Sequence, residues 1–208
     1  MKTILCYGDS NTWGYNPATK ERYSKEERWT GILQKELGEN YEIIEEGLNG
    51  RTTVWDDPIE GYKNGKKYLI PCLESHHPID LVIIMLGTND LKKRFSLSAF
   101  DIANGAQVLV NIVQKSEAGP GGAAPKVLLM APPPVGKLTE FAEEFEGAEE
   151  KSRRFSYHFK RVADECGCEF LDTSKIIVSS DIDGIHFEVS EHKKLGQAVA
   201  KVVKKILR

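Results

Sequence analysis

The sequence predicts an α/β protein built on a parallel sheet with helices on both faces. Five short apolar runs alternate with stretches of helical periodicity, the signature of repeated strand–helix–strand units. The clearest run, Asp80-Leu-Val-Ile-Ile-Met-Leu86, is continuously apolar, as a strand covered on both faces must be. With 208 residues, 40% hydrophobic and 28% charged, the chain is long enough to bury one continuous core. One domain over 1–208 accounts for it, and no internal repeat is present.

The first strand spans Thr3 to Tyr7 and ends in Gly8-Asp9-Ser10-Asn11. Gly8, lacking a Cβ, permits a sharp turn that leaves Ser10 at the mouth of the sheet. A helix follows from Trp29 to Leu37, with Ile32, Leu33 and Leu37 on its inner stripe and Gly38 as its stop. The second strand, Tyr41 to Glu45, runs into Gly47-Leu48-Asn49-Gly50-Arg51-Thr52-Thr53 and a long polar loop. A helix from Lys67 to Ser75 leads to the third strand, Leu81 to Leu86, which ends in Gly87-Thr88-Asn89-Asp90. The helix from Ser98 to Lys115 is apolar around much of its circumference and therefore packs against the sheet. Ala118 to Pro125 reads as a surface loop before the fourth strand, Lys126 to Ala131. Pro132-Pro133-Pro134 then forms a stiff extended segment. A helix from Glu149 to Glu165, a strand from Glu169 to Leu171, the Asp181–His186 loop and a last helix from Ser190 complete the chain. Lysines concentrate on the outer face and C-terminal end of that last helix, where its dipole favours them.

In open parallel sheets, ligands bind beyond the carboxyl ends of the strands. Ser10, Asn49-Gly50, Asn89 and the Asp183/His186 pair all fall there. A serine becomes a nucleophile when a base takes its proton and preorganised donors receive the oxyanion. His186 with Asp183 supplies residue types for the base and its orienting carboxylate. The N–H groups of Ser10 and Gly50 and the amide of Asn89 supply types for the oxyanion hole. Each fragment also has an ordinary use: Ser10 or Asp9 as a helix N-cap, Asn89-Asp90 as another cap, Asp183-Gly184 as a plain turn.

Taken together, Gly8-Asp9-Ser10-Asn11, Gly47-Leu48-Asn49-Gly50, Gly87-Thr88-Asn89-Asp90 and Asp183-Gly184-Ile185-His186 resemble the four blocks of the SGNH hydrolases, or GDSL-type esterases. The resemblance implies a three-layer α/β/α, flavodoxin-like fold of about five parallel strands. It also implies Ser10 as nucleophile, His186 as base and Asp183 as its partner, an oxyanion hole from Ser10, Gly50 and Asn89, and no metal or other cofactor. Asn11 departs from the leucine of the named motif, at a position that takes no part in the chemistry. The G-x-S-x-G elbow of α/β-hydrolases is absent. Arg28-Trp-Thr-Gly31, Glu45-Glu-Gly-Leu48 with Arg51-Thr-Thr53, and Asp80 to Asp90 are similar to the small bacterial arylesterase/acyltransferase subgroup. That similarity implies cleavage of short acyl esters, acyl transfer to alcohols as well as water, and a homo-oligomer with subunit contacts through Arg51–Gly65 and Pro132–Gly147.

Trp13, Tyr15, Trp55 and Phe141 are candidates to line the substrate pocket. A net charge of -3 gives no reason to expect a nucleic-acid or membrane partner, so small-molecule esters are the expected partners. Cys6, Cys72, Cys166 and Cys168 lack paired C-x-x-C spacing; with no leader recognisable after Met1-Lys2, the expected location is the cytoplasm. Two other functions fit less of the chain. One is O-deacetylation of carbohydrates or antibiotic side chains by the same triad. The other is a non-catalytic phosphoacceptor or binding module using Asp9 and Asp90, which leaves Asp183 and His186 without a role.

Overall fold

The computed structural model describes residues 1–208. Strands β1 (Lys2–Gly8), β2 (Tyr41–Gly47), β3 (Leu81–Met85), β4 (Lys126–Ala131) and β5 (Glu169–Asp172) form one sheet in the order β2-β1-β3-β4-β5. Every neighbouring pair is parallel. The helices are α1 (Ser10–Trp13), α2 (Trp29–Leu37), α3 (Gly65–His76), α4 (Ala99–Gln114), α5 (Ala148–Ser152), α6 (Phe155–Cys166) and α7 (Val189–Ile206).

Successive side chains of a strand point to opposite faces, and this alternation divides the core in two. Leu5 and Tyr7 of β1 and Val82 and Ile84 of β3 pack with Leu69 of α3, Ile102 and Leu109 of α4 and Phe159 of α6. Ile4, Cys6, Leu81 and Ile83 face the other way, onto Trp29 and Leu33 of α2 and Leu195 and Val199 of α7. Full burial of such a side chain contributes about 1.5–3 kcal/mol, which is why the continuous apolar runs are the central strands. No helix is long and apolar enough to cross a membrane. The four cysteines are unpaired, with Cys6 and Cys72 fully buried as small apolar groups.

Two local expectations need correction. The helix expected over Glu149–Glu165 is two helices, broken at Arg153-Arg154. The buried Ser152 causes the break: its hydroxyl donates back to the Glu149 carbonyl at 3.1 Å and accepts the Val135 N–H at 2.9 Å. The turn after β1 also works differently. Gly8 is needed there for space, since a Cβ would lie 2.1 Å from Thr12 Oγ1, and its φ is not among the positive ones. The chain folds at once into the short helix α1, with the Asp9 carboxylate accepting the Asn11 N–H at 3.0 Å as its N-cap.

Candidate active site

Ser10 is the first residue of α1, at the carboxyl end of a central strand. The last loop reaches it from the far side of the sequence. One oxygen of Asp183 accepts the N–H groups of Ile185 and His186 at 2.8 and 2.9 Å, closing the turn. The other oxygen lies 2.6 Å from His186 Nδ1, and His186 Nε2 lies 2.9 Å from Ser10 Oγ. The turn and the hydrogen-bonded chain are thus one structure. All three residues are buried. Burial alone would raise the pKa of Asp183, but the His186 ring and the two backbone N–H groups outweigh it and hold the carboxyl below its usual range. An ionised Asp183 keeps the Nδ1 proton in place and leaves Nε2 free to accept.

The donors expected for an oxyanion converge on the same place. The N–H of Ser10 opens a helix and has no intrahelical acceptor, and no protein acceptor is in reach of it or of the Gly50 N–H. Gly50 has a φ of 79°, a conformation that favours glycine. Asn89 Nδ2 donates to the Arg51 carbonyl at 3.2 Å, which leaves its second N–H for the cleft. Neither Asn89 nor Asp90 spends its side chain on a helix cap. Asp90 takes the Thr53 N–H at 3.1 Å and also the Thr53 hydroxyl. Arg51 Nη1 donates to the Gly8 carbonyl at 3.0 Å and to that of Glu46, while its guanidinium lies 4.2 Å from the Tyr7 ring centre. The Gly50 loop is therefore fastened to the ends of β1, β2 and β3.

Burial pushes the Asp9 carboxyl up to about 7, with the Asp90 charge adding to the effect against the Asn11 N–H, and pushes Asp90 up to about 6 against the Thr53 hydrogen bonds. Both carboxylates are buried and engaged, so the exposed acidic pocket that a phosphoacceptor needs does not form around them.

The cleft over Ser10 has a volume of about 180 Å³. Of the four aromatic candidates, Tyr15 and Phe141 line it. The Tyr15 ring lies over His186 with centroids 4.2 Å apart, and Phe141 meets the same ring edge-on at 6.1 Å. Trp13 and Trp55 do not line it. Trp13 turns toward β2, under the Arg22 guanidinium at 5.2 Å, and Arg22 in turn pairs with Glu45. The Trp55 side chain is over a third exposed, and its backbone carbonyl is what the Thr52 hydroxyl holds.

Sequence reasoning missed the charged wall of the cleft. Lys92 is 4% exposed and pairs with Glu60, with Glu144 at 3.3 Å and with Asp57 at 3.8 Å. Arg94 bonds Glu144 and reaches Asp57 at 3.3 Å. Glu60 and Glu144 come from the two loops expected to make subunit contacts, and both pair with Lys92 and Arg94. Both carboxylates are committed to cations and are poorly placed to serve as metal ligands. The run Lys92-Lys93-Arg94 opposite Glu143-Glu144-Glu146 was the only signal in the sequence.

Residues 6–192 match the GDSL-like Lipase/Acylhydrolase family. Among solved structures, the chain is similar to the Mycobacterium smegmatis aryl esterase, with 43% identity and a TM-score of 0.95 over 99% of this chain and 100% of that one. A carbohydrate acetylesterase from Sinorhizobium meliloti has 43% identity and a TM-score of 0.96 over the same shares. A putative arylesterase from Agrobacterium tumefaciens has 38% identity and a TM-score of 0.91, again over 99% and 100%. No curated protein matches the chain. With its sheet, its blocks and its sequence in agreement over nearly the full length, the chain belongs to the GDSL-like lipase/acylhydrolase family and is a serine esterase.

Proposed function

We propose that residues 1–208 act as a single SGNH hydrolase domain in which Ser10 Oγ attacks the carbonyl carbon of a small carboxylic ester as His186 Nε2 takes its proton. Asp183 holds the ring and stabilises its cation. The N–H groups of Ser10 and Gly50 and the Asn89 amide receive the oxyanion. On collapse, His186 returns the proton to the departing alcohol and leaves an acyl-Ser10 ester. Water, or a second alcohol, then attacks this ester by the same steps in reverse. The observation that carries this reading is the continuous chain from Asp183 through His186 to Ser10, at 2.6 and 2.9 Å, beside two uncommitted backbone donors.

The cleft of about 180 Å³ falls below the usual range for drug-sized ligands, which favours short acyl groups. Tyr15 and Phe141 favour an aryl or other flat leaving group. A second reading, O-deacetylation of a carbohydrate, is favoured by the Lys92, Glu60 and Glu144 wall, which offers hydroxyl groups hydrogen-bonding partners. Comparing kcat/KM for p-nitrophenyl acetate, p-nitrophenyl octanoate and a peracetylated sugar tests both. A preference for the aryl acetate supports the first, a preference for the sugar supports the second, and a preference for the octanoate contradicts the short-acyl site.

We also propose that copies of the chain associate through the Arg51–Gly65 face, where Ile59 and Tyr62 are exposed, and that the enzyme works in the cytoplasm, in keeping with its four free cysteines. Light scattering during chromatography checks the association; a monomer at micromolar concentration contradicts it.

A further inference from the structure

Behind the Gly50 loop, away from the cleft, lies a group of donor side chains that the chemistry above does not use. Cys72 and His76 are four residues apart on α3 and so project from one face of the helix, one turn apart. Glu46 of β2 faces them, with its Oε1 2.9 Å from His76 Nε2. Donor atoms of Glu46, Cys72 and His76 all lie within 4.8 Å of one another. We propose that these three residues form a binding site for a borderline divalent cation of the Zn²⁺ or Co²⁺ type.

The donor set selects the ion. A thiolate, an imidazole and a carboxylate suit Zn²⁺ and Co²⁺, whereas Mg²⁺ and Ca²⁺ prefer all-oxygen shells. Bonds of about 2.0–2.3 Å place the ligands of a tetrahedral ion about 3.3–3.7 Å apart, so the cluster must tighten by about an ångström. The Glu46 and His76 side chains, 19% and 31% exposed, have room to turn inward, while the buried Cys72 supplies the fixed point. Three protein ligands leave the fourth position to water. A cavity of about 470 Å³ lined by Glu46, Arg51 and Tyr68 opens beside the site and gives the ion a route in. On binding, Cys72 releases its thiol proton to solvent, and His76 coordinates through Nε2 with its remaining proton on Nδ1. The carboxylate and thiolate offset the ion's charge. Arg51 is the nearby cation, and its guanidinium is committed to the Gly8 and Glu46 carbonyls.

The location gives the site a consequence. β2 ends at Gly47 and α3 begins at Gly65, so a bound ion ties together the two elements that bracket the loop carrying Gly50 and Glu60. The competing account is a plain Glu46–His76 hydrogen bond with Cys72 as apolar filler.

Titrating the full-length enzyme with Co²⁺ under reducing conditions separates the two. The proposal expects a thiolate-to-cobalt charge-transfer band that saturates at one equivalent and is displaced by Zn²⁺. Cys72→Ser abolishes the band, His76→Gln and Glu46→Gln each weaken binding at least about tenfold, and Cys168→Ser leaves it intact. Because Cys72 is buried, a cooperative melting transition serves as the folding check, and the partly exposed His76→Gln variant keeps the test open if Cys72→Ser does not fold. Zn²⁺ should also raise the thermal midpoint of the wild type and leave that of His76→Gln unmoved. No charge-transfer band at millimolar Co²⁺, a band retained by Cys72→Ser, or undiminished affinity in His76→Gln would overturn the proposal. Since the readouts are absorption and melting, failure here is distinct from failure of the esterase reading.

Discussion

The Asn11 side-chain amide donates to the Ile185 carbonyl at 3.3 Å and so ties the helix that starts with Ser10 to the loop that carries His186. The two residues are 174 positions apart in the chain. In the proposed mechanism Asn11 touches no reacting atom and sets the approach of His186 to Ser10. Asn11→Ala should therefore cost about 0.5–1.5 kcal/mol of stability and lower kcat up to about tenfold with KM little changed. Steady-state kinetics with p-nitrophenyl acetate and a urea melt check both.

In the proposed mechanism, Lys92 neutralises carboxylates that would otherwise oppose the oxyanion. A Cβ on Gly50 would lie 2.5 Å from Glu60 Oε2, so that carboxylate stands close behind an oxyanion donor. As a general scale, an uncompensated unit charge roughly 7 Å from a developing oxyanion, at an effective dielectric of about 20, costs about 2 kcal/mol, or about 30-fold in rate. Arg94 stays 3.7 Å from Glu60 and offsets part of that charge, so Lys92→Met should lower kcat by up to that factor. Its stability loss should be about 1–3 kcal/mol, because the Glu60 and Glu144 side chains are each 33% exposed and the buried Asp57 keeps Arg94 at 3.3 Å. Removing Glu60 as well, in Lys92→Met/Glu60→Gln, should restore much of the rate. Kinetics of the double variant decide whether charge or packing is responsible.

Asn89→Ala removes one donor of the proposed oxyanion hole and should lower kcat by about 10²–10³. It also frees the Arg51 carbonyl that Asn89 holds, so stability falls by about 1 kcal/mol. A loss of stability with kcat unchanged would make Asn89 a structural residue.

These residues show how far sequence reasoning reached. The central strands were legible because a strand buried on both faces has to be apolar throughout, as Leu81–Met85 is, whereas the half-buried edge strands Tyr41–Gly47 and Glu169–Asp172 carry glutamates and were legible only from their place between helices. That Ser10, Gly50, Asn89, Asp183 and His186 would come together was legible because each lies just beyond a strand end or in the last loop, at a fixed place in its block. The Asn11–Ile185 tie and the Lys92 cluster were not, because partners so far apart in the chain are chosen by the fold and leave no local pattern. Trp13 and Trp55 were misplaced for a related reason: an aromatic residue announces burial but not direction, and Arg22 drew Trp13 to the β2 side. The break at Arg153-Arg154 follows from Ser152 bonding to Val135, a contact that no helical periodicity encodes.

Acid and base act on the fold through different carboxyls. Asp183 sits below its unfolded value, so the stability it contributes is present above the ordinary carboxylate range and is lost as pH falls through it. Asp9 is raised to about 7, so its contribution is complete below the unfolded value near 3.8 and is lost as pH rises toward 7. Asp9→Asn keeps an oxygen for the Asn11 N–H and removes the titration. Its melting temperature should therefore fall less than that of the wild type between pH 4 and about 7. Parallel melts across that window check the slope; identical slopes would mean that Asp9 ionises freely.

In the proposed mechanism Ser10, activated by His186, carries the acyl group. Intact mass after treatment with a fluorophosphonate, measured with p-nitrophenyl acetate turnover for wild type and Ser10→Ala, tests it directly. One adduct should form per wild-type chain and none on Ser10→Ala, with turnover in the variant reduced to the background. An adduct on Ser10→Ala, or equal turnover in both proteins, would contradict it.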